Sequence, residues 1–151
     1  MIVNKIRNIL TSEIKPSIEN NGKNKLAAVL IIIYGEIPKI LMTKKPITMS
    51  QHGGEISFPG GKISDPDDTL LDTAIREVEE ETGLKITKDL VIGQLKQVTT
   101  LNSRFTILPF ICILDDIPEL MPNSEVESFL EIPLISLLET LESDLDPDHN
   151  S

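Results

Sequence analysis

From Leu26 to Tyr34 the chain reads Leu-Ala-Ala-Val-Leu-Ile-Ile-Ile-Tyr, an apolar run with no polar interruption. A strand with one wet face alternates apolar and polar residues, so a continuous run marks a strand covered on both faces. Such a strand needs a layer of structure on each side. The turn Gly35–Pro38 leads to a second strand at Ile40–Thr43, and Glu55–Phe58 reads as a short third one. Leu90–Thr99 and Phe105–Leu114 form a strand pair joined at the polar turn around Asn102-Ser103. Helical spacing appears in Met1–Lys15, through Ile2, Ile6, Ile9, Leu10 and Ile14, before the polar connector Ser17–Asn24. It recurs from Thr69 to Thr82, with Asp67 or Asp68 placed to cap the helix. Past the loop Pro122–Ser124, Pro133 is positioned to open a final helix, Leu134–Leu141. Strands on either side of a central helix predict one α/β domain with a mixed sheet.

The central helix carries the chemistry. Its sequence ends in Arg76-Glu77-Val78-Glu79-Glu80-Glu81-Thr82-Gly83-Leu84, preceded by the turn Phe58-Pro59-Gly60-Gly61. Counting about 100° per residue from Leu71, the apolar Leu71, Ala74, Ile75 and Val78 cluster near about 350°. Glu77, Glu80 and Glu81 span about 180° to 280° on the same count, flanking the buried stripe. Like charges four apart, such as Glu77 and Glu81, repel by a few tenths of about 1 kcal/mol. Only Arg76, four residues before Glu80, offers an in-helix partner. A hard divalent cation would relieve this crowding, since Mg²⁺ takes carboxylate and phosphate oxygens. The bland reading of such a run is a solvated acidic face.

The ending of this helix reproduces the R-E-U-x-E-E-x-G-U signature (U aliphatic), so the segment resembles the Nudix hydrolases. Upstream, Leu41, Thr43, His52, Gly54, Phe58, Pro59, Gly60 and Gly61 follow the spacing of a motif that marks the coenzyme A pyrophosphatase subgroup. Four positions depart: Lys45 and Ser50 stand at arginines of that motif, Pro46 at Ser or Ala, and Ile56 at Val. Lys45 keeps the charge but not the bidentate fork of arginine, and Ser50 keeps neither. The loop before the helix departs as well. Gly61 to Asp67 has the family's gap, whereas counting back from Arg76 selects Asp68.

The resemblance implies an α/β/α sandwich and hydrolysis of the diphosphate linkage of a nucleoside diphosphate derivative, with Mg²⁺ or Mn²⁺ as cofactor. It makes Glu77 and Glu81 the metal ligands and Glu80 a third ligand or the general base, with Arg76 orienting Glu80. In some relatives the base comes from a loop before the last helix, which brings in Glu125 and Glu127. Lys45, His52 and the amides of Gly60 and Gly61 are candidates for substrate contact, with Lys62 a further source of positive charge. A solvated lysine, a histidine anchoring its own turn and a surface ion pair at Arg76 are the ordinary alternatives. The likeness runs from about Leu26 to Leu141 and lacks the strand and long helix with which coenzyme A-type relatives end. Either the chain is a trimmed one, or Met1–Lys15 or a second subunit covers the exposed sheet face, the last making a homodimer an expected assembly. Substrates open at this stage are coenzyme A or its derivatives, ADP-ribose, a dinucleotide or an oxidised nucleotide. A non-catalytic nucleotide-binding domain is the reading from a different class.

The formal net charge of −10 disfavours nucleic acid and anionic membranes as partners. Phosphate must therefore be met by a cation and local lysines or arginines. The single cysteine, Cys112, sits in the apolar run Phe110–Leu114 and reads as a buried hydrophobe. No signal peptide or membrane-length apolar run is evident, so the expected location is the cytoplasm.

Overall fold

The computed structural model describes residues 14–16, 25–48, 53–100 and 104–145, with side chains from residue 140 onward outside the description. The expected helix at Met1–Lys15, the connector Ser17–Asn24, the turn at Asn102-Ser103 and the residues Ser50 and His52 lie wholly or almost wholly outside it.

The continuous apolar run forms strand β1 (Lys25–Tyr34), and it is central as its composition requires. On one side β1 pairs in parallel with β7 (Phe105–Leu114) along its whole length, from Lys25↔Phe105 to Tyr34↔Leu114. Its other edge is shared. The C-terminal end meets β2 (Lys39–Lys44) and the N-terminal end meets β4 (Gly60–Lys62), both antiparallel. Beyond β2 lie β3 (Ile56–Ser57) and β8 (Ser128–Pro133), and beyond β7 lie β5 (Val91–Gln94) and β6 (Val98–Thr99). The described residues thus form a mixed eight-stranded sheet.

Alternate residues of β1 feed two separate cores. Ala28, Leu30, Ile32 and Tyr34 pack with Leu70, Leu71, Ala74 and Val78 of helix α1 (Leu70–Thr82). Ile31 and Ile33 pack on the opposite face with Ile40, Ile111 and Leu134, the first residue of helix α2 (Leu134–Leu145). The two helices therefore sandwich the sheet. Among the described residues no helix is long and apolar enough to cross a membrane.

Four expectations need correction. Strand β8 was not expected from sequence; its residues alternate only weakly between half-buried and exposed, so no clean period marks it. Pro133 closes β8 rather than opening α2, which runs four residues past the expected end. Leu90–Thr99 is two strands. Pro109, in the middle of β7, has no N–H to donate, and between β5 and β6 the Leu95 N–H donates to the Pro109 carbonyl (2.9 Å). Finally, the cap of α1 is Thr69, whose hydroxyl accepts from Asp72 N–H (3.2 Å) while the Asp72 carboxylate accepts from Thr69 N–H (3.1 Å). Neither Asp67 nor Asp68 caps the helix.

Candidate active site

Where β2 and β4 part along the edge of β1, a cleft of about 400 Å³ opens. Ala27 and Val29 of β1 form its floor, and Glu77, Glu81 and Glu125 bring carboxylates to it. Apolar burial of Leu70, Leu71, Ala74 and Val78 fixes the rotation of α1, and that rotation aims Glu77 and Glu81 at the cleft. Gly83, at φ 81°, ends the helix by donating its N–H to the Glu79 carbonyl (2.8 Å).

Glu81 is only 2% exposed, and its Oε1 accepts the Gly60 N–H at 3.0 Å. Burial pushes its carboxyl up to about 7, against the opposing pull of that N–H and of Lys45; repulsion from Glu77 and Glu125 adds to the rise. The Glu77 carboxyl is raised too, by burial first, with Arg76 opposing and Glu80 and Glu125 adding. Packing at the turn is tight. A side chain at Gly60 would strike the Ala28 carbonyl and lie 2.6 Å from Val29 Cα, and one at Gly61 would lie 2.6 Å from Glu77 Cδ. The Gly60 N–H, expected to contact a phosphate, donates to Glu81 in this structure. The glycines are needed for close approach of β1 and of Glu77.

Arg76 is held on both sides. Its Nε and Nη2 donate to the two oxygens of Asp67 at 2.9 and 2.8 Å, a bidentate pair. Nη1 donates to Glu77 (3.0 Å) and Glu80 (3.3 Å), and Nη2 also to the Lys62 carbonyl (3.1 Å). Asp67 accepts further from Ser64 N–H (3.0 Å) and the Thr73 hydroxyl (2.9 Å). The Arg76 guanidinium thus lowers the Asp67 carboxyl to about 2. Of the two acids left open by spacing, Asp67 is the one that engages Arg76.

Not every expected residue reaches the cleft. Glu80 stays on the rim with Arg76 and lines a neighbouring groove with Gly83 and Asn123, because it is turned by about 100° from Glu81 around the helix. The three glutamates therefore do not point the same way. Glu127 pairs instead with Lys44 at 3.5 Å. Lys45 lines the cleft, its backbone bridging Glu55 and Gly54. Lys62 lines it beside Phe105, with Nζ 5.3 Å from the ring centroid. Phe105 and Asn123 were not singled out from sequence. Phe105 reads there only as a strand residue, and Asn123 as part of a polar loop.

A divalent cation can be tested against this donor set. Among the described residues no three His, Cys, Asp or Glu side chains form a ready-made metal cluster. Glu77 and Glu81 nevertheless fit a hard cation as a pair: both supply oxygen, both are crowded by Glu125, and Mg²⁺ typically takes one or two carboxylates with water and phosphate completing the shell.

A mixed sheet between two helices, with an Arg-Glu-rich helix packed against a Gly-Gly turn, defines the class of fold and site. The sequence model of the NUDIX domain matches residues 24–149, and the chain belongs to that family. The Cronobacter sakazakii protein called Uncharacterized Nudix hydrolase NudL is 32% identical over 128 residues, covering 83% of this chain and 66% of that one. Its Yersinia enterocolitica namesake is 36% identical over 114 residues, covering 74% of this chain and 58% of its own length. The chain thus spans less than two thirds of these relatives. Among solved structures, a NUDIX hydrolase from Alicyclobacillus acidocaldarius superposes with a TM-score of 0.63 at 20% identity, covering 80% of this chain and 83% of that one. The NUDIX domain of Shewanella oneidensis NrtR, solved with ADP ribose, gives 0.60 at 17% identity and covers 77% of each chain. At these identities the likeness concerns the fold.

Proposed function

We propose that the chain is a divalent-metal-dependent hydrolase that cleaves the diphosphate linkage of a nucleoside diphosphate derivative, with coenzyme A or its derivatives as the first substrate class. The observation that carries this reading is the convergence of Glu77, Glu81 and Glu125 on one cleft, where burial and mutual repulsion raise the carboxyls of Glu77 and Glu81. Glu77 and Glu81 would hold Mg²⁺ or Mn²⁺. Such a cation, when bound, neutralises phosphate oxygens and acidifies water. The Gly60 N–H orients the Glu81 carboxylate, and Asp67 and Arg76 hold Glu77 from the other side. Glu125 is the better placed of the loop acids to take a proton, Glu80 being tied to Arg76 on the rim. Lys45 and Lys62 supply local positive charge for a phosphate in an otherwise acidic molecule. His52 remains a candidate for substrate contact.

Coenzyme A is supported by the motif spacing from Leu41 to Gly61, and ADP-ribose is the second reading, supported by the ligand of the Shewanella domain and by the absence of an arginine at Ser50. Hydrolysis of a panel of both compounds, dinucleotides and oxidised nucleotides with Mg²⁺ and Mn²⁺ tests the class. Glu77→Gln and Glu81→Gln are each expected to lower kcat by orders of magnitude with little change in fold. Near-normal turnover by both variants at saturating Mg²⁺ would remove the metal assignment. Ser50→Arg is expected to raise kcat/KM for coenzyme A more than for ADP-ribose, and an equal effect on the two would remove the motif argument.

A further inference from the structure

Asn123 lies on the loop between β7 and β8, two residues before Glu125, and makes four hydrogen bonds that join two parts of the molecule. Its Nδ2 donates to the Glu81 carbonyl at 2.8 Å. Its Oδ1 accepts from Glu125 N–H (2.8 Å) and Val126 N–H (3.0 Å), and its own N–H donates to the Val126 carbonyl (3.0 Å). The Oδ1 contacts fold the loop into a tight turn whose base, Val126, is fully buried. The Nδ2 contact does something different. Carbonyls in the last turn of a helix have no partner within the helix, and Asn123 satisfies the one belonging to Glu81.

We propose that Asn123 is a positioning residue that registers the Glu125 loop against the last turn of α1, keeping the Glu125 carboxylate in the cleft that holds Glu77 and Glu81. The inference rests on the reading of Glu125 as a participant in the reaction. A residue needed only for the turn uses Oδ1 alone, whereas a tether requires Nδ2. Asn123→Asp separates the two, because it keeps the acceptor for Glu125 and Val126 while setting a carboxylate oxygen against the Glu81 carbonyl. Asn123→Ala removes both.

Kinetics of Asn123→Asp, Asn123→Ala, Glu125→Gln and the double variants, with the substrate the panel identifies, provide the first readout. Both Asn123 variants are expected to lower kcat about ten- to a hundredfold with KM within about threefold of the parent. In the Glu125→Gln background the same changes should cost less than about twofold more, since the tether then has nothing to position. Multiplying effects, or normal turnover by Asn123→Asp, overturn the inference. The second readout needs no turnover. Mn²⁺ alone, at low occupancy, is expected to broaden the Glu81 amide resonance equally in the parent and in Asn123→Asp, and that of Glu125 less in the variant than in the parent. Broadening at both positions in parent and variant alike overturns the tether while leaving the cation reading intact. Absence of broadening at Glu81 in the parent overturns the cation reading, and this inference with it.

Discussion

Asp67 spends both carboxylate oxygens on Arg76 and draws further donors from Ser64 and Thr73, so a single side chain fastens the loop before α1 to the helix. Its carboxyl is held near 2, below the 3.8 of a free aspartate. A group whose folded value is depressed adds stability above its unfolded value and loses it as pH falls through the folded one. The contribution of Asp67 is therefore complete above about pH 4 and fades toward about pH 2, with a size of about 2 kcal/mol. Asp67→Asn is expected to lose about that much in urea unfolding at pH 7, with the gap to the parent closing near pH 2. A gap that persists undiminished at pH 2 would show that charge is not what Asp67 supplies. Cys112 is the opposite kind of residue. Fully buried, with its thiol pushed up to about 12 by desolvation, it has the setting of an inert core side chain.

Strand β4 is three residues long, yet it sets the distance between β1 and the helix that bears the acids. Its two glycines fail in different ways when enlarged. A methyl at Gly60 meets the backbone of Ala28 and Val29, which cannot retreat without unpairing the strands. Gly60→Ala should cost about 3 kcal/mol or more. A methyl at Gly61 meets the tip of Glu77, which can swing aside. Gly61→Ala should keep its melting temperature while losing at least about tenfold in kcat. Calorimetry and kinetics on the pair check the contrast, and equal losses of stability would refute it. Sequence reveals β1 and α1 clearly because each has a full apolar period: both faces for Leu26–Tyr34, one stripe for Leu71 to Val78. It hides β8, whose residues are only half-buried, and it hides the break opposite Pro109, since a missing donor matters only once the partner strand is known. The direction of the acids is partly legible. Helical spacing separates Glu80 from Glu81 around the axis, but only packing against β4 shows which of them is swallowed. The choice between Asp67 and Asp68 needed the bend of the loop itself.

At the scale of the whole molecule, residues 14–16 connect the chain's start to its core. Ile14 packs against the α1 side, Lys15 N–H donates to Gln94 (2.7 Å) and the Pro16 carbonyl accepts from Leu70 N–H (3.0 Å), one of the first-turn donors of α1. Starting the chain at Lys25 removes all three contacts and should lower the melting temperature by several degrees, at about 2–8 °C per kcal/mol. Light scattering on the full chain is expected to find a homodimer, or a monomer covered by its own N-terminal segment. A stable, soluble monomer after loss of Met1–Asn24 would defeat both. The parallel ladder between β1 and β7 bears on how this arrangement is reached in time. Each pairing joins residues 80 apart, as Phe105 with Lys25 and Leu114 with Tyr34, so a long loop must close before any rung forms. On a ribosome adding about 5–20 residues per second, Leu26–Tyr34 emerges several seconds before its main partner. For that interval the most apolar stretch of the chain has only β2 and β4 to pair with, along one edge, and the cleft, which Phe105 and Ile107 of β7 help to line, cannot yet exist.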